Sequence, residues 1–549
     1  MLALRTTTIS ILIFSIIYKF CNIPQIYHQD EYKWAQIVDP KYDLFDTLPH
    51  PPLSKWLYRI TGESFGYNNL RILPVLFSIG VVILGFLIMR KLFNHLSAQI
   101  YIILASTNLA FFVGALQIDI DGMMLPFFFL LTWYIWLKAV DANYNNLFKL
   151  LLGISICLGF LTKLSFVIVP ISFMMLYFIS KAENLNVKNR LNLKYLFTTT
   201  ILVFSFIALL IFKYPNIFEY VSQFGILNFD SRSFSQTAYL TIKYLILLGP
   251  ITFIAVLEFL RRNSNFLILK LFLTNNFIFY YVLFDFSHRT FDRYLLFATV
   301  PVIMFAAFSV SRIFAGYVDY VRILYLMIII AVPLWFILRT PAEPMPLHPK
   351  EDFVKAVTGF HWKFLMPIFT GSGPIGFYLS FFFIALTFLL CTLVCVLLIT
   401  SSKFQKLGTS ILVAATILYS IVGISEYTTG IQYGSASKVA KSLLSKISKD
   451  SSILEVKTYN DIGGWELGEA KKYQGRIYLN PEWAVEKNKN FRTFEGFVLV
   501  VNMPDIRSDN WFARALRDKC TIQEEIVDNL VSGKLYNCQA SDINVKREQ

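Results

Sequence analysis

The stretch HQDEYKWAQIVDPKYDLFDTLPHPPLSKWLYRITG, residues 28–62, follows at once on the first apolar run of the chain. It sets two adjacent carboxylates, Asp30 and Glu31, at the head of a short amphipathic segment in which Tyr32, Trp34 and Ile37 are placed to lie in a membrane interface. His50-Pro51-Pro52 then forces an extended turn, because proline restricts both itself and the residue before it. Beyond the turn, Leu53, Trp56, Leu57 and Ile60 recur at helical spacing and predict a second interfacial helix. Two carboxylates are thereby held where lipid meets water. Solvated loop charges are the plainer alternative, and the topology of the rest of the chain bears on the choice.

The 549 residues are 56% hydrophobic, 17% aromatic and only 16% charged, with a mean hydropathy of +0.55. A soluble domain of this length cannot hide so much apolar surface. Repeated apolar runs of near-spanning length identify a polytopic α-helical membrane protein. About 13 transmembrane helices are expected, near 5–21, 70–89, 98–113, 122–138, 148–162, 166–180, 195–212, 239–259, 266–284, 294–311, 321–338, 376–399 and 408–424. Arg5 precedes an apolar run to Tyr18 with no small-residue cleavage pattern after it, which reads as an uncleaved signal anchor.

With the N-terminus in the cytoplasm, the cytoplasmic loops hold Arg90, Lys91, Lys138, Lys149, Lys181, Lys188, Arg190, Lys194, Arg261, Arg262, Arg312, Arg322, Lys403 and Lys406. Only Asp141, Glu183 and Asp319 oppose them. The +14 net charge is therefore the positive-inside signature and not a nucleic-acid footprint. The expected address is the cytoplasmic (inner) membrane, multi-pass, with the first external loop, residues 22–69, on the periplasmic side.

A transmembrane domain over 1–424 and a soluble periplasmic domain over 425–549 are expected, because hydropathy falls sharply at the boundary. In the second part SSILEVKTY, GRIYLN, GFVLVVNM, TIQEEIVDN and GKLYNC read as strands, and ASKVAKSLLSKIS and DNWFARALRDK as helices, giving a C-terminal extracytoplasmic α/β domain. Cys157, Cys391 and Cys395 lie in apolar spans, where they pack as small hydrophobes. Cys520 and Cys538 close two strand-like runs, and form a disulfide candidate if that region lies outside the cytoplasm; two free thiols are the other reading.

Further polar groups stand on the outward face. GALQIDIDGMMLPFF carries Asp119 and Asp121 between the third and fourth spans, and Lys163 lies in an outward turn of GFLTKLSF. Arg71 starts the second span, and FSHRTFDRYLL brings His288, Arg289, Asp292, Arg293 and Tyr294 to the outer end of the tenth. Ionisable groups at a bilayer edge are costly unless paired or used, and an embedded phosphate would use these cations. Each has a structural competitor: Asp121 as a helix cap, the cations as snorkelling anchors.

The series resembles the C-type glycosyltransferases, the superfamily of the protein O-mannosyltransferases and lipid A aminoarabinose transferases. DEYKWAQIVDPKYDLFDTLPHPPLSKWL is similar to that family's Asp-Glu pair, tyrosine and His-Pro-Pro-Leu turn after the first span. NNLRILPVLFSIGVVILGFLIMRKLF resembles its second span with a Leu-Arg start, DGMMLPFFFLLTWYIW its Asp-led fourth, LGFLTKLSFVIVP its Gly-x-x-Thr-Lys turn and DRYLLFATVP its Arg-Tyr motif. The likeness covers roughly the first 310 residues in family order. It implies a GT-C fold and an inverting transfer from a polyprenyl-phosphate-linked sugar donor on the outer side of the membrane.

The resemblance makes Asp30 the catalytic base, with Glu31 its neighbour and a metal or acceptor ligand. A hydroxyl is a poor nucleophile, and a carboxylate must accept its proton as the new bond forms. Arg71, Lys163, His288, Arg289 and Arg293 are the candidate donors to the phosphate that leaves. His50 stands where some relatives carry lysine and is assigned to donor phosphate or metal. Asp119 and Asp121 have the Asp-x-Asp form that binds divalent cations (magnesium, manganese or zinc), yet two carboxylates alone do not make a site. No cofactor is required. The expected partners are membrane lipids, the lipid-linked donor, and a glycolipid or protein acceptor.

Three functions compete. The first is transfer to lipid A, lipopolysaccharide core or another envelope glycolipid. The second is O-mannosyltransferase-like transfer to serine or threonine of a protein, against which the lack of a recognisable beta-trefoil insertion weighs. The third, of a different class, is a transporter or flippase for a lipid-linked sugar. Transporters show inverted repeats and broken midplane helices, whereas here the polar groups gather at one face.

Overall fold

The computed structural model describes residues 2–25, 27, 31, 34–35, 37–40, 51–142, 146–182, 205, 208, 212, 234–261, 264–283, 292–314, 320–344, 350–368, 376–400, 404–447, 456–460, 476–478, 496–502, 517–518 and 520–538. They form two compact units. One comprises Met1–Ile23, Gln36–Leu324 and Cys391–Ile417, the other Pro24–Ala35, Tyr325–Leu390 and Leu418–Gln549.

The first unit is helical: α1 (Leu2–Cys21), α2 (Pro52–Phe65), α3 (Ile72–Leu92), α4 (His95–Thr107), α5 (Leu109–Leu116), α6 (Met124–Asp141), α7 (Asn146–Thr162), α8 (Ile168–Ala182), α9 (Phe234–Leu248), α10 (Ile251–Phe259), α11 (Leu267–Phe277) and α12 (Thr299–Phe314). Helix α13 (Tyr320–Leu338) passes from this unit into the second. Helix α4 packs against α1, α3 and α12, and α6 against α3 and α7. Aromatic contacts join further helices, as where Phe129 of α6 stacks on Phe272 of α11 at 3.9 Å. Apolar surfaces of this kind are hidden from lipid and water alike, and association rests on close packing.

Among the described residues, five helices are long and apolar enough to cross a membrane, or up to seven if each of two bent pairs counts as one span. This is a multi-pass membrane architecture. The expected span 195–212 lies outside the described residues, apart from three positions.

Two expected spans are not straight. The run read as 98–113 breaks between α4 and α5 with a bend of 63°, and the run read as 239–259 breaks between α9 and α10 with a bend of 105°. Breaking a helix in an apolar medium frees backbone groups that must find partners. Asn108 supplies them at both breaks. Its Oδ1 accepts from the Phe111 N–H at the start of α5 (3.0 Å), and its Nδ2 donates to the Leu248 carbonyl at the end of α9 (2.9 Å). Gly249 at φ +75 followed by Pro250 makes the sharper bend.

The second unit contains a small sheet, β1 (Glu343–Pro344), β2 (Phe364–Ile368) and β3 (Phe377–Ser380), with α14 (Lys350–Thr358) before β2. The span expected from residue 376 thus opens as a strand and becomes helical only at α15 (Phe381–Thr400). Helix α16 (Gln405–Thr429) leads to α17 (Ala436–Ile447) and then to β4 (Val456–Asn460), β5 (Arg476–Tyr478), β6 (Gly496–Asn502), β7 (Cys520–Asp528) and β8 (Val531–Cys538). Each of the five strand-like runs of the C-terminal sequence carries one of these strands, in the order β5-β4-β6-β8-β7. Helix α17 covers the sheet with Ala436, Val439, Ala440 and Leu443, all at most 3% exposed. Its lysines, Lys438, Lys441 and Lys446, keep the opposite face polar. Cys520 and Cys538 face each other across β7 and β8 and are joined in a disulfide.

Candidate active site

Helix α2 is built inside out. Its apolar stripe turns outward, with Trp56 51% and Ile60 37% exposed, while Ser54, Lys55, Tyr58, Thr61 and Gly62 are buried. An interfacial helix does this when lipid takes the apolar face and protein takes the polar one. The buried face carries the chemistry: the Tyr58 hydroxyl donates to the Asp119 carbonyl oxygen at 3.0 Å.

Asp119 and Asp121 sit in the connection between α5 and α6, where every residue from Gln117 to Met123 is buried. The connection folds back tightly on α5: a Cβ added to Gly122 would meet the Gly114 carbonyl oxygen at 2.6 Å, so only glycine fits. Asp119 turns Oδ1 onto the N–H of Ile120 (2.6 Å). The Asp121 carboxylate accepts a hydrogen bond from Lys163 Nζ at 2.5 Å.

Lys163 stands in the turn between α7 and a short 3-10 segment, Leu164–Val167, and is 8% exposed. Its ammonium lies 4.2 Å from the centre of the Tyr294 ring, whose backbone belongs to a second 3-10 segment, Asp292–Ala298. Tyr280, from a π-helical turn at Ile278–Leu283, stacks on Tyr294 at 5.8 Å. Its hydroxyl donates to Ser165 Oγ at 3.5 Å. Burial by itself lowers the pKa of Lys163. The charge of Asp121, with Tyr280, Tyr294 and Asp119 behind it, outweighs that and holds the ammonium above its ordinary range. An ammonium has three donors, and among the described residues Asp121 is its one hydrogen-bond partner. A buried cation with donors that the described residues do not use, beside an aromatic face, is suited to an anionic oxygen.

Four stretches distant in the sequence therefore meet at Lys163, and the cluster gathers Asp119, Asp121, Lys163 and Tyr294 from the residues singled out above. Arg71 is placed differently. It is fully buried, and its guanidinium donates to the Leu116 carbonyl (Nε, 2.9 Å) and towards that of Ile23 (Nη1, 3.4 Å), which close the C-terminal ends of α5 and α1. Glu31 is helical and fully buried, within the second unit. Asp30, His50, His288 and Arg289 lie outside the described residues, and only the backbone of Arg293 is described. Tyr58 and Tyr280 are new. A helical stripe of Ser54, Lys55, Tyr58 and Thr61 signals the first; nothing in the apolar run FIFYYVLF marks the second.

Among the described residues the Asp-x-Asp pair is already partly engaged. Asp121 is engaged by Lys163 and one oxygen of Asp119 by the backbone. No group of three or more His, Cys, Asp or Glu side chains that could hold a metal gathers among the described residues.

Over its whole length the chain superposes on ArnT from Cupriavidus metallidurans bound to undecaprenyl phosphate, with a TM-score of 0.56, 12% identity and 97% of each chain covered. The apo state of the same ArnT matches with a TM-score of 0.52, 12% identity and 97% and 98% coverage. This is an ArnT-like GT-C fold. Residues 49–212 match the family model of dolichyl-phosphate-mannose-protein mannosyltransferases. The archaeal oligosaccharyltransferase AglB from Archaeoglobus fulgidus, in complex with an inhibitory peptide and a dolichol-phosphate, is more distant: TM-score 0.44, 11% identity, 90% of this chain and 69% of that one. No curated protein sequence matches. The GT-C likeness read from the sequence motifs is borne out in the fold, and the matched stretch 49–212 contains Arg71, Asp119, Asp121 and Lys163.

Proposed function

We propose that the protein is an inverting glycosyltransferase that moves a sugar from a polyprenyl-phosphate donor to an envelope acceptor, lipid A or lipopolysaccharide core, on the outer side of the inner membrane. The observation that carries this reading is the Lys163 cluster, a buried ammonium with one hydrogen-bond partner among the described residues, beside paired tyrosines. It lies in a GT-C fold whose ArnT counterpart is described as bound to undecaprenyl phosphate.

The chemistry follows from the donor. The acceptor hydroxyl attacks the anomeric carbon as Asp30 takes its proton, and the bond from that carbon to the phosphate oxygen breaks with its electron pair. Charge grows on the leaving phosphate, where Lys163 and Arg293 act as fixed donors. Glu31 orients Asp30 or the acceptor. Asp121 keeps Lys163 protonated and in place until the phosphate arrives. No step is routed through a divalent cation.

A second reading keeps the reaction and makes the acceptor a protein serine or threonine; the description of the family matched over 49–212 favours it. A flippase would also use broken helices. Here Asn108 holds one backbone group at each of the two breaks, the Phe111 N–H and the Leu248 carbonyl, which supports a structural role for the bends. The deciding experiment is mass spectrometry of envelope lipids and glycoproteins from a deletion strain carrying wild-type protein or Asp30→Asn. A sugar-sized mass increment present only with wild type is expected, and its carrier names the acceptor. No increment with wild type would refute the enzyme, and an equal increment with both proteins would refute Asp30 as its base.

A further inference from the structure

At the end of α16 the chain turns back on itself. The N–H groups of Gln432 and Tyr433 donate to the Glu426 carboxylate (3.0 and 3.2 Å), and that of Gly434 to the Gly430 carbonyl (2.8 Å). Glu426 lies inside the last helical turn, so residues 430–434 fold beside that turn and do not rise from it. The tip of the β7–β8 hairpin is pinned to the same place. Asn529 Nδ2 donates to the Ile431 carbonyl (3.2 Å), and the Leu530 N–H to that of Tyr433 (3.1 Å). Asp528 accepts from the Ser435 N–H (3.0 Å) and Lys438 Nζ (2.9 Å). Gly434, at φ +100, presses so closely on the Asp528 carbonyl that no side chain fits there.

The tip then displays what a water-facing turn avoids. Ile431 is 68%, Val527 63% and Leu530 47% exposed. In the two-residue turn Asn529 takes the left-handed conformation (φ 54), as asparagine can. Its neighbour Leu530 is left half-exposed.

A second projection precedes α15. Phe360 holds φ 58, an uncommon conformation for a bulky residue, and leaves its ring 78% exposed. Hydrogen bonds on either side, Gly359 N–H to Lys355 O (2.8 Å) and His361 N–H to Ala356 O (2.9 Å), fix it there. Its ring lies 5.4 Å from Trp362, which packs at 6.3 Å on Phe381, the first residue of α15. Both projections thus sit where a spanning helix begins or ends.

We infer that Phe360 with Trp362, and Leu530 with Ile431 and Val527, insert into the interfacial layer of the bilayer beside the start of α15 and the end of α16, so that the C-terminal sheet is seated on lipid. The occupant is the boundary between headgroups and acyl chains, because the two helices that carry the projections are themselves apolar enough to span it. The aromatic pair and the neighbouring Lys355 and Lys363 suit that layer.

The test uses the full chain in nanodiscs of phosphatidylethanolamine and phosphatidylglycerol. Cys21, Cys157, Cys391 and Cys395 are replaced by alanine and one nitroxide is placed at Leu530→Cys, Phe360→Cys or, as the water-facing control, Lys441→Cys. Accessibility to oxygen relative to a nickel chelate should be several-fold higher at 530 and 360 than at 441. Equal ratios would overturn the inference. So would protection found only in discs holding two copies with dipolar broadening between labels, which marks a self-contact. Hydroxyl-radical footprinting of the unsubstituted protein in the same discs gives an answer free of folding defects: Phe360 should be protected, and oxidation at the rate of a free aromatic would contradict lipid burial.

Discussion

A lysine ammonium wedged between a carboxylate and an aromatic face has lost most of its water, and its charge persists only because Asp121 compensates for the loss. Removing one partner strands the other. Asp121→Ala should therefore destabilise the protein by about 3–5 kcal/mol, and the double variant Asp121→Ala/Lys163→Met should recover part of that; thermal unfolding in one detergent measures both. The pair also fixes a pH dependence. The folded pKa of Lys163 is raised, so its contribution to stability is complete below the ordinary lysine value of 10.5 and is lost as pH rises through the higher folded value. Melting temperature should show no step from Lys163 between neutral pH and the ordinary value of 10.5, and a Lys163-dependent fall only above 10.5. A Lys163-dependent step near neutrality would contradict the pairing.

Among the elements, the two broken helices depend on one side chain. Asn108→Ala leaves the Phe111 N–H and the Leu248 carbonyl without their partner in an apolar interior, at a cost of roughly 1–3 kcal/mol for each stranded group. A melting temperature unchanged in Asn108→Ala would show that the breaks are held by something else. This is also where sequence and structure part company. The strands β4 to β8 were legible because apolar alternation bounded by turn residues needs no tertiary information. Gly249-Pro250 is a break signal hidden by the long apolar run around it, and Asn108 carries none, since a single amide among apolar residues reads as tolerated. The polar face of α2 was visible as a stripe, but the choice of which face lies inward belongs to a membrane and not to water. At the Lys163 cluster the ionisable members were readable from their cost at a bilayer edge; Tyr280 was not, because tyrosine in an apolar run is ordinary packing.

For the whole molecule, the span pattern and the order of motifs gave the GT-C likeness, and the fold agrees with ArnT across nearly the full chain despite 12% identity. What the chain transfers rests on one physical claim: the buried cluster around Lys163 receives the phosphate of a polyprenyl lipid. Native mass spectrometry of the purified protein with undecaprenyl phosphate tests it most directly, with Lys163→Met, and with Lys438→Met as a surface-charge control. Losing a charged hydrogen bond to phosphate should weaken lipid retention about tenfold or more in Lys163→Met and leave Lys438→Met like wild type. Equal retention by all three proteins would contradict the account.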